Sequence, residues 1–199
     1  MLYEFDEITL AISLGILAIL LIVLAIKKRS FSYLLFFLIF GIYIIGVISV
    51  VIFPILVPGP EDAATIWQRL HWIRQNINLV PFNFGDYCND IRSVCGEQII
   101  QNIILTMPFG FGICFIAPLK ARDFFWLPFA VGLGFEISQF VISQGSFHAF
   151  DINDVILNAA GIIIGYACFR IFGWMYRGTI HLLKINPRWL FAYVYDVVK

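Results

Sequence analysis

Charged residues are scarce in this chain. They make up 13% of its 199 residues, whereas 61% are hydrophobic, and the mean hydropathy is +0.90. Soluble domains carry about 25% charged residues and are roughly half apolar. The composition therefore excludes an ordinary soluble domain and indicates an integral membrane protein. The formal net charge is zero, so there is no basic excess of the kind that attracts nucleic acid, and no nucleic-acid partner is expected.

Several familiar catalytic signatures are also missing. The sequence contains no HExxH, no GxSxG and no dense cluster of cysteine and histidine. Of its four cysteines, Cys114 and Cys168 lie in apolar runs, and Cys88 and Cys95 lie in the longest polar stretch. A disulfide between the latter two is left open, because two cysteines do not define a framework. Enzyme activity, a cofactor and a bound metal are likewise left undecided.

Long apolar runs fill most of the remainder. No basic segment precedes the first run and no small-residue cleavage site follows it, so no cleaved signal peptide is expected. At roughly 20 residues per transmembrane helix, the pattern predicts a single all-α polytopic membrane domain over residues 1–199. Its five predicted spans are residues 8–26, 31–53, 98–117, 124–142 and 154–175. Pro108 is expected to kink or break the third span.

The basic residues near these spans predict the orientation. Lys27 to Arg29, Lys120 with Arg122, and the C-terminal tail alternate consistently with cytoplasmic loops under the positive-inside rule. The chain is thus expected to cross a bacterial cell membrane with its N-terminus outside and its C-terminus in the cytoplasm. Residues 61–76 are predicted to form an amphipathic helix on the outer surface, and the aromatic, basic tail an amphipathic cytoplasmic anchor.

Polar residues inside the apolar runs are the candidate site. Asp151, Asp154, Asn158, Gly161 and Gly165 share one helical stripe at the start of the fifth span. Similar depths are predicted for polar residues of two other spans, in the outer half of the membrane. Such groups usually face a bundle interior or a water-filled cavity. We therefore expect a polar cup, open to the exterior, with ligand-binding residues Asn102, Glu136, Gln139, Asp151, Asp154 and Asn158.

A purely structural interpretation stays open beside the cup. Asp151 or Asp154 can cap the fifth helix. Asn102 and Gln139 can join helices by hydrogen bonds, and the Gly161-xxx-Gly165 pair can form a packing face. Capping does not account for Glu136.

Four sequence blocks carry a family resemblance. They are Asn78-Leu-Val-Pro-Phe82, the segment from Asn102 to Phe111, Glu136-Ile-Ser-Gln139, and the segment from Asp151 to Tyr166. As an ordered set over about residues 76–168, they resemble the VanZ-like family of bacterial membrane proteins. The resemblance implies a role connected with teicoplanin and related lipoglycopeptide antibiotics, which act on cell-wall precursors at the outer membrane surface.

The sequence is compatible with three functions. The first is recognition of an amphiphile by the cup, either a lipoglycopeptide antibiotic or a lipid-linked cell-wall precursor, with membrane lipid as the surrounding partner. The alternative is a membrane enzyme acting on a lipid-linked substrate, with Glu136, Asp151 and Asp154 as catalytic groups or metal ligands and His148 assisting. A transporter would need polar spanning residues in both halves of the membrane, and the sequence places them in the outer half.

Overall fold

The computed structural model describes residues 2–56, 67–68, 71, 73–74, 77–84, 94–142 and 150–199. Over these residues the protein is an all-α polytopic membrane protein, as predicted. Three predictions lie wholly or largely outside the described residues. They concern the amphipathic helix of residues 61–76, the Cys88 to Cys95 disulfide and the part assigned to His148.

Six helices form the architecture of the described chain. They are α1 (Glu7–Ile26), α2 (Phe31–Val51), α3 (Val94–Gly112), α4 (Leu127–Ile142), α5 (Ile152–Leu182) and α6 (Leu190–Val197). Single turns of 3-10 helix lie at Ile113–Phe115 and Ala121–Phe125. Two short antiparallel strands, β1 (Leu2–Tyr3) and β2 (Ile55–Leu56), pair beside the end of α2.

Local sequence signals explain where the first two helices begin. The Asp6 carboxylate accepts a hydrogen bond from the Thr9 backbone N–H at 2.8 Å, and the Ser30 hydroxyl accepts from the Tyr33 N–H at 3.3 Å. Both are N-cap side chains satisfying N–H groups that have no partner within the helix. The Thr9 hydroxyl also donates to the Asp6 carboxylate, at 2.7 Å, and this side-chain bond, together with the backbone bond, lowers the pKa of the Asp6 carboxyl below its usual value. In the third helix, α3 continues through Pro108 to Gly112, so the proline does not break it.

The described chain has four helical segments long and apolar enough to cross a membrane. They are α1, α2, the segment from Gly96 to Phe115, and α5. The span predicted over residues 124–142 is shorter than the others. Its α-helix, α4, has only 16 residues and is therefore about 24 Å long at 1.5 Å per residue. A hydrocarbon core is about 30 Å thick. The preceding 3-10 turn, Ala121–Phe125, supplies additional length on this crossing.

Contacts between the helix ends define two opposite ends of the bundle. At the end we call the carboxylate end, the Gln139 side chain near the end of α4 donates to the Val51 carbonyl at the end of α2, at 2.9 Å. The starts of α3 and α5 also meet there. At the opposite end, which we call the basic end, the α1 to α2 turn, residues 117–121 and the chain after α6 surround one cavity.

Two glycines let α3 and α5 pack with their backbones in contact. A Cβ atom placed on Gly165 would lie 1.9 Å from the Met107 carbonyl oxygen, and one on Gly161 would lie 2.2 Å from the Thr106 hydroxyl oxygen. Neither position can accept a side chain without separating the helices. The stripe that begins with Asp151 and Asp154 therefore continues as a close helix-packing face, the small-residue geometry that membrane helices use.

The tail packs onto the bundle as well as exposing aromatic residues. Val194 and Val198 are buried with Phe115 and Phe169 in the hydrophobic cluster at the basic end. The Tyr193 hydroxyl donates to the Phe115 carbonyl, and burial raises the pKa of Tyr193. Trp189, Phe191 and Asp196 are exposed. The tail helix thus packs onto the bundle with one face and leaves another face exposed.

Candidate functional site: the start of helix α5

The first turn of α5 is capped by an aspartate. The Asp151 carboxylate accepts a hydrogen bond from the Asn153 backbone N–H at 2.7 Å, and the backbone of Asp151 is extended, as an N-cap residue requires. The structural interpretation is therefore right for one of the two aspartates. The other aspartate, Asp154, accepts a hydrogen bond from a different helix.

Glu136 completes this cap from the neighbouring helix. In a capping box, the side chain three residues after the N-cap accepts a hydrogen bond from the N-cap backbone N–H. Asp154 stands at that position, but the Asp151 N–H instead donates to the Glu136 carboxylate at 3.1 Å. Glu136 lies on α4 and is 1% exposed. This contact fixes the end of α4 against the start of α5 and leaves the Asp154 carboxylate available to α3.

Asp154 meets α3 through an amide. The Asn102 side-chain N–H donates to the Asp154 carboxylate at 2.7 Å. One turn further into the bundle, the buried Thr106 hydroxyl lies 2.8 Å from the Asn102 carbonyl and 3.0 Å from the Asn158 carbonyl. A hydroxyl has one hydrogen, so it serves one carbonyl at a time. Asn158 is itself 5% exposed, so Thr106 and Asn158 lie inside the helix bundle, whereas Asn102 and Asp154 are half-buried.

A loop that contains the first family-like block closes over Asp151. The Asn78 side chain donates to both Asp151 carboxylate oxygens, at 3.1 and 3.2 Å. Its backbone also forms a parallel bridge with the same region, through bonds of 2.9 Å to the Phe150 carbonyl and from the Ile152 N–H. Residues 78–82 therefore lie beside the polar groups at the start of α5.

Asn153 was not identified from the sequence, although it holds the same loop. Its carboxamide oxygen accepts from the Phe82 N–H at 2.6 Å, and its N–H donates to the Asn83 carbonyl at 2.9 Å. Phe82 has a positive φ of 63°, a left-handed conformation that a bulky side chain rarely adopts. Asn153 is 2% exposed. In the sequence, Asn153 stands between the two aspartates of the predicted helical stripe. It was not included because its position along the helix does not fall on that stripe.

The six predicted residues thus occupy related but unequal positions. Asn102 and Asp154 are in direct contact, Glu136 and Asp151 are joined through a backbone N–H, and Asn158 lies one turn deeper. Gln139 instead binds the end of α2, whose last carbonyls lack donors within their own helix. This contact matches the helix-joining role allowed by the structural interpretation. The part of Gln139 in ligand binding stays a prediction.

The electrostatic character of the site follows from these groups. Three carboxyl side chains surround the start of α5, where the helix macrodipole places a partial positive charge and favours anions. The hydrogen-bond donors described above are amides. Amide donors do not neutralise the charge of a carboxylate, so the arrangement suits a ligand with cationic or multiple hydrogen-bond-donor groups.

Among the described residues, no three histidine, cysteine, aspartate or glutamate side chains come together in a way that would hold a metal ion.

The sequence matches the model of a known protein family. The family model described as VanZ/LLP1 matches residues 40–173, more than half of the chain. The chain belongs to the VanZ/LLP1 family. The VanZ/LLP1 match includes most of α2, all of α3 and α4, and two thirds of α5, so it contains every predicted site residue. Searches among curated proteins and among solved structures gave no match.

Proposed function

We propose that this VanZ/LLP1 protein acts at the bacterial cell membrane in the response to teicoplanin and related lipoglycopeptides. Its polar cup, the group Asn102, Glu136, Gln139, Asp151, Asp154 and Asn158, recognises the antibiotic or a lipid-linked cell-wall precursor. Both candidates are amphiphiles that present polar groups at the outer membrane surface. The family membership supports the connection with lipoglycopeptides, and the geometry of the cup supports recognition as the mechanism.

The observation that carries this proposal is the burial of ionisable groups at one end of a membrane bundle. Glu136 is 1% exposed and contacts the start of α5, next to Asp151 and one turn from Asp154. A charged residue at the centre of a membrane helix costs about 2.5–3.5 kcal/mol on insertion scales. Asp151 and Glu136 together account for the cap of α5. The further carboxyl group, that of Asp154, bonds to α3 and points to a role beyond helix capping.

The position of the cup favours an extracytoplasmic ligand. The basic residues next to membrane helices, including Arg29, Lys120 and Arg177, lie at the opposite end of the bundle. Under the positive-inside rule the carboxylate end faces the exterior. Antibiotic and precursor both reach the cell surface from that side or are displayed there.

The test removes ionisation and preserves shape. Glu136→Gln and Asp154→Asn keep side-chain size and hydrogen-bonding capacity but lose the carboxylate charge. We expect each variant to lower the teicoplanin inhibitory concentration of a susceptible Gram-positive host to the level given by empty vector. Glu97→Gln is the matched control, because Glu97 lies in the first turn of α3 at the same end and is exposed.

Vancomycin, which has no lipid tail, tests the amphiphile part of the proposal and should show a smaller effect of the wild-type protein. Membrane levels of all variants are measured in parallel. A wild-type chain that shifts neither drug removes the resistance role. A shift that survives both substitutions leaves resistance in place and rules out the carboxylate mechanism.

A further inference from the structure

A second site lies at the basic end, opposite the polar cup. A cavity of about 570 Å³ opens there, within the range of roughly 300–1,000 Å³ that small-molecule sites occupy. Four basic side chains and one acidic side chain line it, namely Arg29, Arg170, Arg177, Lys199 and Asp196. The excess of cations makes an anion the expected occupant.

The basic side chains come from three separate parts of the chain. Arg29 follows α1, Arg170 and Arg177 lie on α5, and Lys199 follows α6. Because these segments are far apart in sequence, the fold brings their like charges together. Like charges brought to one cavity repel each other unless an anion is present.

Neutral groups are the partners of two of the arginines. The Arg170 guanidinium donates to the Tyr166 hydroxyl at 2.9 Å, and the Arg29 guanidinium lies 5.0 Å from the centre of the Tyr33 ring. The Arg177 guanidinium donates to the backbone oxygen of Lys199, the last residue of the sequence, at 3.1 Å. Within the described part of the chain, no side-chain carboxylate forms an ion pair with these three arginines. The positive charge of Arg29 and Arg170 thus stays available to a ligand.

The depth of the cavity matches phospholipid headgroups. Arg170 comes 18 residues after Ile152, the first residue of α5, which places it about 27 Å along the helix at 1.5 Å per residue. The hydrocarbon core is about 30 Å thick. Arg170 therefore reaches the far edge of the core, and Arg177 lies beyond it. Arg29 follows α1, whose own length of about 30 Å also spans the core.

An apolar groove adjoins the cavity. It has a volume of about 420 Å³ and lies between α2, α3 and α5, and Phe115 lines both the groove and the basic cavity. Its other walls are almost wholly apolar and include Phe36, Ile39, Met107 and Phe111. Ile39 is 56% exposed, as a lipid-facing side chain is. A cationic cavity at headgroup depth beside an apolar groove in the membrane has the form of an amphiphile site.

We propose that the basic end binds one anionic phospholipid, with its phosphate among Arg29, Arg170 and Arg177 and an acyl chain in the adjoining groove. Arginine suits this role because its planar guanidinium donates several hydrogen bonds to a phosphate. The site is separate from the polar cup and does not depend on the proposed function. It gives the arginines a local role beyond orienting the chain in the membrane.

The experiment compares lipids that differ in one property. The purified full chain in detergent is titrated with dioleoyl phosphatidylglycerol or dioleoyl phosphatidylcholine, and bound lipid is counted by native mass spectrometry. The two lipids have identical chains, but only the first has a net negative charge. We expect phosphatidylglycerol to bind at least tenfold more tightly, since hydrogen bonds to charged groups contribute roughly 1.5–3 kcal/mol and about 1.4 kcal/mol is tenfold. Equal binding of the two lipids contradicts the proposal.

Substitutions locate the headgroup. Arg170→Gln and Arg177→Gln should each weaken phosphatidylglycerol binding about tenfold by the same relation and leave phosphatidylcholine unchanged. Arg122→Gln is the matched control, because Arg122 lies at the same end, pairs with Asp123 and does not line the cavity. An equal loss of phosphatidylglycerol binding in Arg122→Gln would mean that general surface charge causes the effect. That result would overturn the assignment of the headgroup to this cavity. If Arg177→Gln does not fold, the exposed Arg170 position decides the test.

Two further arms test the acyl chain. Ile39→Trp places a larger side chain in the groove and should weaken binding of the dioleoyl lipid, but not of phosphatidylglycerol with six-carbon chains. Inorganic phosphate is the free-anion probe and should bind far more weakly than the long-chain lipid. Phosphate that binds as tightly as phosphatidylglycerol would identify a soluble anion as the ligand and refute the lipid.

Discussion

Glu136 shows at the level of one residue how this site combines structure and function. By accepting the N–H of Asp151, it does what a side chain in the first turn of α5 does in an ordinary capping box. The residue that would fill that place, Asp154, turns to Asn102 on α3 instead. Glu136 of α4 therefore bonds to α5, and Asp154 of α5 bonds to α3. Three helices are thus joined at the start of α5.

The Asn102 to Asp154 contact gives a prediction that separates the hydrogen bond from the charge. Asn102→Asp places two carboxylates within hydrogen-bond distance, and repulsion with loss of the bond should lower the free energy of unfolding by about 2–3 kcal/mol. The exchanged double variant, Asn102→Asp with Asp154→Asn, restores one donor facing one acceptor and one charge. We expect it to recover most of the lost stability, as measured by thermal unfolding of the purified protein in detergent.

Asp154→Asn alone is the control for this cycle, since it retains an acceptor oxygen beside Asn102. A double variant no more stable than Asn102→Asp would show that the contact contributes little to the folded state.

The sequence predicted the polar residues of the site but not all of their hydrogen-bond partners. The common stripe of Asp151, Asp154 and Asn158 follows from helical spacing alone, and their contacts with α3 and the adjoining loop follow that stripe. Gln139 shares a face with Glu136, yet it binds Val51. Helical spacing gives the face of a helix and leaves its neighbour undetermined, because the neighbour depends on how several helices pack.

At the scale of elements, the contact between α3 and α5 depends on glycines of both helices, namely Gly110 of α3 and Gly161 and Gly165 of α5. Gly165→Ala would place a methyl group 1.9 Å from the Met107 carbonyl oxygen, so the helices would have to separate. We expect a loss of about 1–3 kcal/mol or more in the free energy of unfolding, as for other overpacked sites. Gly134→Ala on α4 is the control, because its Cβ would meet nothing within 4 Å. Thermal unfolding in detergent measures both.

The control should be neutral or slightly stabilising, since alanine is favoured over glycine within a helix by about 0.5–1 kcal/mol. Equal stability of both variants would mean that the helices pack less closely than these distances indicate.

The fourth crossing shows where prediction of elements is limited. Apolar content predicted one span over residues 124–142, whereas the structure has a 3-10 turn up to Phe125 and an α-helix from Leu127. Pro128 lies in the first turn of this α-helix, where a proline is tolerated because its missing N–H would have no partner within the helix. Hydropathy alone does not register this division, since a 3-10 turn and an α-helix can be equally apolar. In α3 the opposite occurs, and Pro108 lies within a continuous helix.

For the whole molecule, the arrangement of ends agrees with an odd number of crossings. The N-terminal strand β1 pairs with β2 just after α2, at the carboxylate end, whereas α6 packs at the basic end. The two ends differ chemically, since one gathers carboxylates and amides and the other gathers arginines. Which end faces the cytoplasm is not given by the packing and depends on the charge asymmetry across the membrane.

The predicted orientation is testable with two single cysteines in a chain whose four native cysteines are replaced by serine. Leu79→Cys lies at the carboxylate end on a side chain that is 64% exposed, and Ala121→Cys lies at an exposed position of the basic end. Neither change alters the charge that directs insertion. Because the basic residues favour the cytoplasm, a membrane-impermeant maleimide should label Leu79→Cys in intact cells and Ala121→Cys only after permeabilisation. The reverse pattern would place the cup in the cytoplasm, where it could not meet an antibiotic at the outer surface.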